Sequence, residues 1–502
     1  MLEWKAAADA AAEISGAWAR EGGPGGAIAL FDAAGVRAAV SGGLAAIEQE
    51  TAFTPDTPGR WASISKHVCA TLLLREGVPL EAELGTFLPE LPSALARVPL
   101  ARALDMTGAL PDLMEALWQQ GTPFTASLDA ERLFAAVLRL PALCGEPGEE
   151  MAYSNTGWRL AQRLLERRTG RAYAQLAAEL FAPLGVAARF VSDESEVVEG
   201  LASGYWREGT AWRRGRYGLN FSASGGMAGS VMALARWLSA LMAGREELVG
   251  RLTRLTAPRA FADGSPSRYR LGLVATTQGD LEVIGHGGSL PGWCNHFLLV
   301  PALGVGVAVL SNREEDALGP ALRVLAALTG RNSPAPATRA PEGLFAAEEG
   351  PFWAEGGGGA ISFMGATESL VEDGTGGWRS LPAYLDVQLR QEAGGALVGR
   401  FGGVARRLLP VPATTPFDVR LAGRWRDERL GVEINIDTDG TAHLPWPVGG
   451  IVSRLVPLPG GRAIADLRHG PWRHRSCFWL VQEGILRMAS HRSRILAFHR
   501  MP

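Results

Sequence analysis

The chain has little net charge, few cysteines and no long apolar run. Its 502 residues carry 49 Lys and Arg against 52 Asp and Glu, a formal charge of −3. That balance gives no reason to expect nucleic acid or an anionic membrane as partner. No apolar stretch reaches the length of a membrane helix. Met1-Leu2-Glu3-Trp4-Lys5 lacks the basic start and apolar run of a signal peptide, so the expected compartment is the cytoplasm. The four cysteines, Cys69, Cys144, Cys294 and Cys477, are scattered and form no Cys-x-x-Cys pair. A structural disulfide is not expected, and Cys69 reads as a small buried hydrophobe. His-Glu-x-x-His is missing, as is any clustered ligand set, so no metal and no cofactor are expected. Gly22-Gly23-Pro24-Gly25-Gly26 lacks a Gly-Lys-Ser/Thr ending and leads into a strand, which argues against a phosphate loop. His443, His469, His474, His491 and His499 lie near the C-terminus in strand-like sequence and read as surface or barrel residues.

What is present is an ordinary globular composition, 47% hydrophobic and 20% charged, in a chain long enough for two or three domains. The informative residues are three short motifs. Ser63-Ile64-Ser65-Lys66 opens an apolar, helix-like run. Residues three apart share a helix face, so the Lys66 amine can lie beside the Ser63 hydroxyl. A serine is a poor nucleophile until a base takes its proton, and a helix N-terminus favours negative charge on an attacked carbonyl. Tyr153-Ser154-Asn155 sits between the turn Gly145-Glu146-Pro147-Gly148 and a helical pattern through Leu160, Leu164 and Leu165. His286-Gly287-Gly288-Ser289 ends a strand-like alternation on a glycine pair, where a backbone can approach a ligand closely.

In this order the three motifs resemble those of the penicillin-recognising serine hydrolases. The chain looks class C β-lactamase-like and nearest to the D-aminopeptidases. Ser63 and Lys66 match the family's Ser-x-x-Lys element, and Tyr153 and Asn155 its Tyr-x-Asn element. The third element is usually Lys-Thr-Gly, and here His286 stands in place of the lysine. The resemblance implies Ser63 as nucleophile and Lys66 or Tyr153 as base. Asn155 would hold Lys66 and bind the substrate amide. The backbone N–H groups of Ser63 and Ser289, beside Gly288, would take the oxyanion. A lysine at 286 would be a permanent cation suited to a substrate carboxylate, whereas an imidazole is mostly neutral near pH 7. The expected substrates therefore carry an amide or ester there. The implied activity is hydrolysis through an acyl-enzyme, releasing N-terminal D-residues from small peptides or amides. An esterase or a weak penicillin-hydrolysing relative is the alternative, and a non-enzymatic binding protein is disfavoured. The expected partner is the small substrate itself, with a homodimer as the assembly to consider.

The resemblance implies an α+β fold: a β-lactamase-like domain, an antiparallel sheet flanked by helices, followed by two small antiparallel β-barrels. Residues 1–331 would be catalytic. The Pro-rich segment 332–342 reads as a linker. Short alternating segments beyond it suggest barrels over 343–415 and 416–502, parted near a Pro/Thr stretch at 409–416. Expected elements include a hairpin around Asp32-Ala33-Ala34-Gly35, a helix over 64–75, a helix over 156–170, a strand over 269–275 and a helix over 318–328. In D-aminopeptidases a loop from the last barrel closes the site. Its expected counterpart is the turn beginning Pro457-Leu458-Pro459-Gly460, or His469-Gly470-Pro471-Trp472.

Overall fold

Strand Gly26–Asp32 is apolar without alternation because it is covered on both faces. Ala27, Ala29 and Phe31 belong to one core cluster. Ile28 and Leu30, pointing the other way, belong to a second, with helices Trp4–Glu21 and Leu318–Thr329. Helix Val231–Ala243 covers the first face, its Trp237 fully buried. The computed structural model describes residues 1–334, 336–382, 384–445 and 450–502.

The strand lies in a six-stranded antiparallel sheet. Its spatial order is Val274–Gln278, Leu281–Leu290, Trp293–Val300, Val305–Ser311, Gly26–Asp32 and Gly35–Gly42. The edge strand Val274–Gln278 pairs only with residues 281–285 of its neighbour. Residues 286–290 therefore keep a free edge, and this opening becomes one wall of a cavity. The helices Lys66–Arg75, Leu113–Gln119 and Thr156–Thr169 pack against the far side. Asp112 caps Leu113–Gln119 by accepting the Glu115 N–H at 3.0 Å, and Gly170 ends Thr156–Thr169 in the left-handed conformation.

Beyond residue 342 the described residues form strands, with one 3-10 turn at Val419–Leu421. Eight strands, from Gly343–Ala346 to Val404–Pro410, close into a barrel around Trp353, Phe363, Leu370, Leu397 and Phe401. Nine more, from Gly423–Asp427 to Leu496–Arg500, form a second, nearly closed antiparallel barrel around Trp425, Ile434, Phe478 and Phe498. The α+β class with two barrels is thus the architecture observed.

Two expectations are corrected. The strand expected over 269–275 begins only at Val274, because Gly272 turns the chain at φ +71°. A Cβ there would lie 2.9 Å from the His67 nitrogen, so the residue marks a close approach to the helix carrying Lys66. The helix expected from residue 64 starts at Lys66, behind a 3-10 turn over Ala62–Ser65. The Pro-rich segment lies against the first barrel, where Ala337 is buried and its N–H meets the Leu370 carbonyl at 2.8 Å. Ala335 and the stretch 446–449 lie outside the described residues.

Candidate active site

Within the stretch Trp61–Ala70 only Ser63 is not fully buried. The turn that presents it is held in a disfavoured shape. Ala62 has φ +50°, a region that costs a residue bearing a Cβ about 1–2 kcal/mol. The neighbours hold that shape. Trp61 N–H donates to the Met227 carbonyl at 2.9 Å, and its indole to Gly229 at 3.0 Å. The Ser65 hydroxyl donates to Ala62 at 2.6 Å and accepts the Met227 N–H at 3.0 Å. Strand Met227–Gly229 thus staples the turn from both ends.

One turn on, the fully buried Lys66 amine donates to Ser63 Oγ at 2.8 Å and to the Ser224 carbonyl at 2.9 Å. Burial first, and the nearby positive charge of Arg492 second, hold its pKa well below the usual lysine range. Tyr153 faces the same cavity as Ser63, and the Lys66 amine lies 5.0 Å from the Tyr153 ring centre. Burial pushes this phenol far up, so it stays protonated at neutral pH. The amine is thus the easier of the two groups to find as a free base.

His286 lies 6.4 Å from Tyr153 between ring centres. Its Nδ1 meets the Gly287 carbonyl at 2.6 Å, an acceptor only, so Nδ1 carries the hydrogen. Nε2 then accepts from the Tyr269 hydroxyl at 2.8 Å. Burial, reinforced by the Lys66 charge, holds the ring neutral. In an antiparallel strand the N–H groups of alternate residues point to the same edge. The Gly287 N–H meets the Tyr384 hydroxyl at the free edge, so the Ser289 N–H is directed to that edge as well. Gly288 packs on the turn: a Cβ there would lie 2.2 Å from the Trp61 carbonyl oxygen.

Asn155 departs from the contact expected of it. Its side-chain nitrogen donates to Asp112 at 3.2 Å, and its N–H to the same oxygen at 2.8 Å. Lys66 is steadied by Ser224 instead, at the end of a serine- and glycine-rich turn. Asp112, fully buried, also accepts from Arg492 at 3.4 Å. Arg492, on the second barrel, donates to the Tyr153 carbonyl at 3.0 Å and lies 5.0 Å over its ring.

These groups line one cavity of about 670 Å³. Ser63, Tyr153, Asn155, His286, Gly288 and Ser289 all face it. Lys66 lies behind Ser63. The first barrel adds Tyr384 and Glu368, and the second adds His474, His491 and Arg492. Of the two turns expected to reach the site, Pro471 and Trp472 line the cavity. The Trp472 indole donates to Glu314 at 2.7 Å. Arg462, after the other turn, bonds to Pro459 and Gly350 away from the site.

The C-terminal histidines divide. His443 and His499 are exposed, as expected. His474 and His491 are buried in the cavity wall, His474 against Glu115 at 2.9 Å and stacked on Trp118 at 3.8 Å. Arg492, Tyr384 and Ser224 were not readable from the motifs. The only hint was the Ser224-Gly225-Gly226 turn before a helix. Among the described residues no group of three or more His, Cys, Asp or Glu is placed to hold a metal. No helix of the described residues is long and apolar enough to cross a membrane, and all four cysteines are free thiols.

A nucleophile-like serine backed by a depressed lysine, on a helix-flanked antiparallel sheet, defines a class. Residues 10–331 match the Beta-lactamase family model, and the chain belongs to that family. It is 28% identical to a D-aminopeptidase of Gluconobacter oxydans (strain 621H) over 454 residues, 86% of this chain and 84% of that protein. It is 26% identical to a D-aminopeptidase of Cereibacter sphaeroides (strain ATCC 17029 / ATH 2.4.9) over 437 residues, 84% and 83% of the two chains. The D-amino acid amidase from Ochrobactrum anthropi SV3, solved with L-phenylalanine amide, superposes with a TM-score of 0.55 at 25% identity. That match covers 64% of this chain and 99% of the amidase. The octameric penicillin-binding protein homologue from Pyrococcus abyssi shares the fold across 98% of this chain and 99% of its own, with a TM-score of 0.57 and 17% identity.

Proposed function

We propose that this chain is a serine hydrolase that works through an acyl-enzyme and releases N-terminal D-residues from small peptides and amides. The observation that carries the reading is the Ser63 hydroxyl, 2.8 Å from a buried lysine amine whose charged form is disfavoured. Ser63 Oγ attacks the scissile carbonyl while Lys66 takes its proton. The oxyanion is received by the Ser63 and Ser289 N–H groups. The C–N bond then breaks, and the leaving amine takes a proton through Tyr153, which is re-protonated from Lys66. Water, losing its proton to Lys66, attacks the ester, and Lys66 passes that proton to the departing Ser63 oxygen, which restores both groups. Asn155 orients the substrate amide from its seat on Asp112.

The choice of a D-aminoacyl substrate is supported by the aminopeptidases and the amidase that the chain resembles. The neutral His286 agrees with it, since an uncharged ring gives a substrate carboxylate no permanent partner. We assign catalysis to residues 1–331, a joining segment to 332–342, and the cavity's outer walls to barrels over 343–415 and 416–502. The four free thiols favour the reducing cytoplasm as its compartment.

The test is a substrate panel of D- and L-alanine p-nitroanilide, short p-nitrophenyl esters and nitrocefin. The expected result is preferred turnover of the D-anilide. Ester turnover with no D-amide cleavage would replace this reading with an esterase.

A further inference from the structure

Three carboxylates line the cavity: Glu115, Asp316 and Glu368. Two are committed. Glu115 is bonded to His474 at 2.9 Å. Asp316 caps helix Leu318–Thr329, accepting the Leu318 and Gly319 N–H groups at 2.9 Å each. Glu368, on strand Ala366–Glu372 of the first barrel, has no cation paired with it among the described residues. The guanidinium whose field reaches it, Arg268, is engaged by Asp386 at 2.6 Å and by Ser380. An acid in a cavity wall with no cation of its own is a costly feature unless a ligand supplies one.

We propose that Glu368 receives the α-ammonium group of the substrate and so selects for a free N-terminus. This rests on the aminopeptidase reading above and adds the group that reads the amine. Glu368 lines the same cavity as Ser63, Tyr153 and Tyr384. Tyr384 of the same barrel meets the Gly287 N–H, two residues before Ser289 on the free edge. A substrate carbonyl held at Ser63 and Ser289 would place the adjoining α-carbon in this region. The amine on that carbon then faces Glu368, and the side chain takes the remaining direction. Carbonyl, amine and side chain fixed at three points distinguish the two hands of an α-carbon. Burial holds the empty Glu368 carboxyl well above the usual range, which agrees with an acid that lacks its counter-ion.

The experiment compares the wild type and Glu368→Gln on D-alanine p-nitroanilide, L-alanine p-nitroanilide, propionyl p-nitroanilide, which lacks the amine, and p-nitrophenyl acetate. Glutamine keeps the shape and removes the charge. The expected result is a fall of about 10- to 100-fold in kcat/KM on the D-anilide, mainly through KM. The preference for D-alanyl over propionyl anilide should collapse, and the D-over-L ratio should shrink. Acetate ester turnover should stay within about twofold, which reports a folded site. A variant that keeps the free-amine preference overturns the role of Glu368 while leaving the aminopeptidase reading standing. A wild type that cleaves the ester but no D-alanyl anilide overturns both. If the glutamine variant also loses ester turnover, Glu368→Asp decides: a restored amine preference supports the role, and restored ester turnover without that preference overturns it.

Discussion

Lys66 concentrates the conflict between stability and chemistry in one side chain. A fully buried amine disfavours its own charge, which suits a base and burdens the fold. Between its lowered pKa and the ordinary lysine value of 10.5, the unfolded chain binds more protons than the folded one. Lys66 therefore makes stability rise with pH across that window. Lys66→Met should stabilise the protein by about 1 kcal/mol near neutral pH while lowering kcat/KM at least about 10³-fold. Thermal melts and anilide kinetics on one preparation check both. A loss of stability with retained activity would contradict the assignment. The same sign holds for the buried histidines. His67 is brought down to about 4, and His296 and His491 to about 3, all by burial. Each contributes stability that is present above 6.5 and lost as the pH falls toward its folded value. The melting temperature should fall steeply below about pH 6. A flat profile down to pH 4 would show that these rings are not buried as described.

At the scale of elements, the site depends on one strand approaching one turn. Gly288 gives no room for a side chain: an added Cβ would meet the Trp61 carbonyl oxygen at 2.2 Å. Gly288→Ala should push strand Leu281–Leu290 away from the Ser63 turn and misplace the Ser289 N–H. A loss of at least about tenfold in kcat is expected, with a destabilisation of about 1–3 kcal/mol, read by kinetics and denaturant melts. This is also the scale at which the sequence was most readable. Ser63 and Lys66 sit three apart on one turn, and Tyr153 and Asn155 precede a helix with a plain 3.6 period, so local pattern reported local structure. The first barrel was less so. Strands such as Trp353–Gly357 run into glycine tracts, and their pairing partners carry the information that their own residues lack. The helix Trp4–Glu21 went unread because its apolar face is mostly alanine.

At the scale of the molecule, the cavity is closed by parts that no motif connects. Arg492 is 339 residues from Tyr153, yet it holds that residue's carbonyl and shares Asp112 with Asn155. Nothing in the order of residues announces such a contact, since only the folded barrel brings it about. Its charge lowers the Lys66 pKa. Arg492→Ala should therefore raise that pKa and move the acid limb of kcat/KM to higher pH, with a loss of about 10- to 100-fold near pH 7. A pH–rate profile reads the direction, and a limb that stays in place would contradict the coupling. The account's central claim is tested most directly by trapping the intermediate. The protein is mixed with D-phenylalanine methyl ester, quenched in acid, digested and weighed by mass spectrometry. The account predicts one D-phenylalanyl group on the peptide carrying Ser63, absent in Ser63→Ala. Turnover of the ester that persists undiminished in Ser63→Ala, or an acyl group on any other residue, would contradict it.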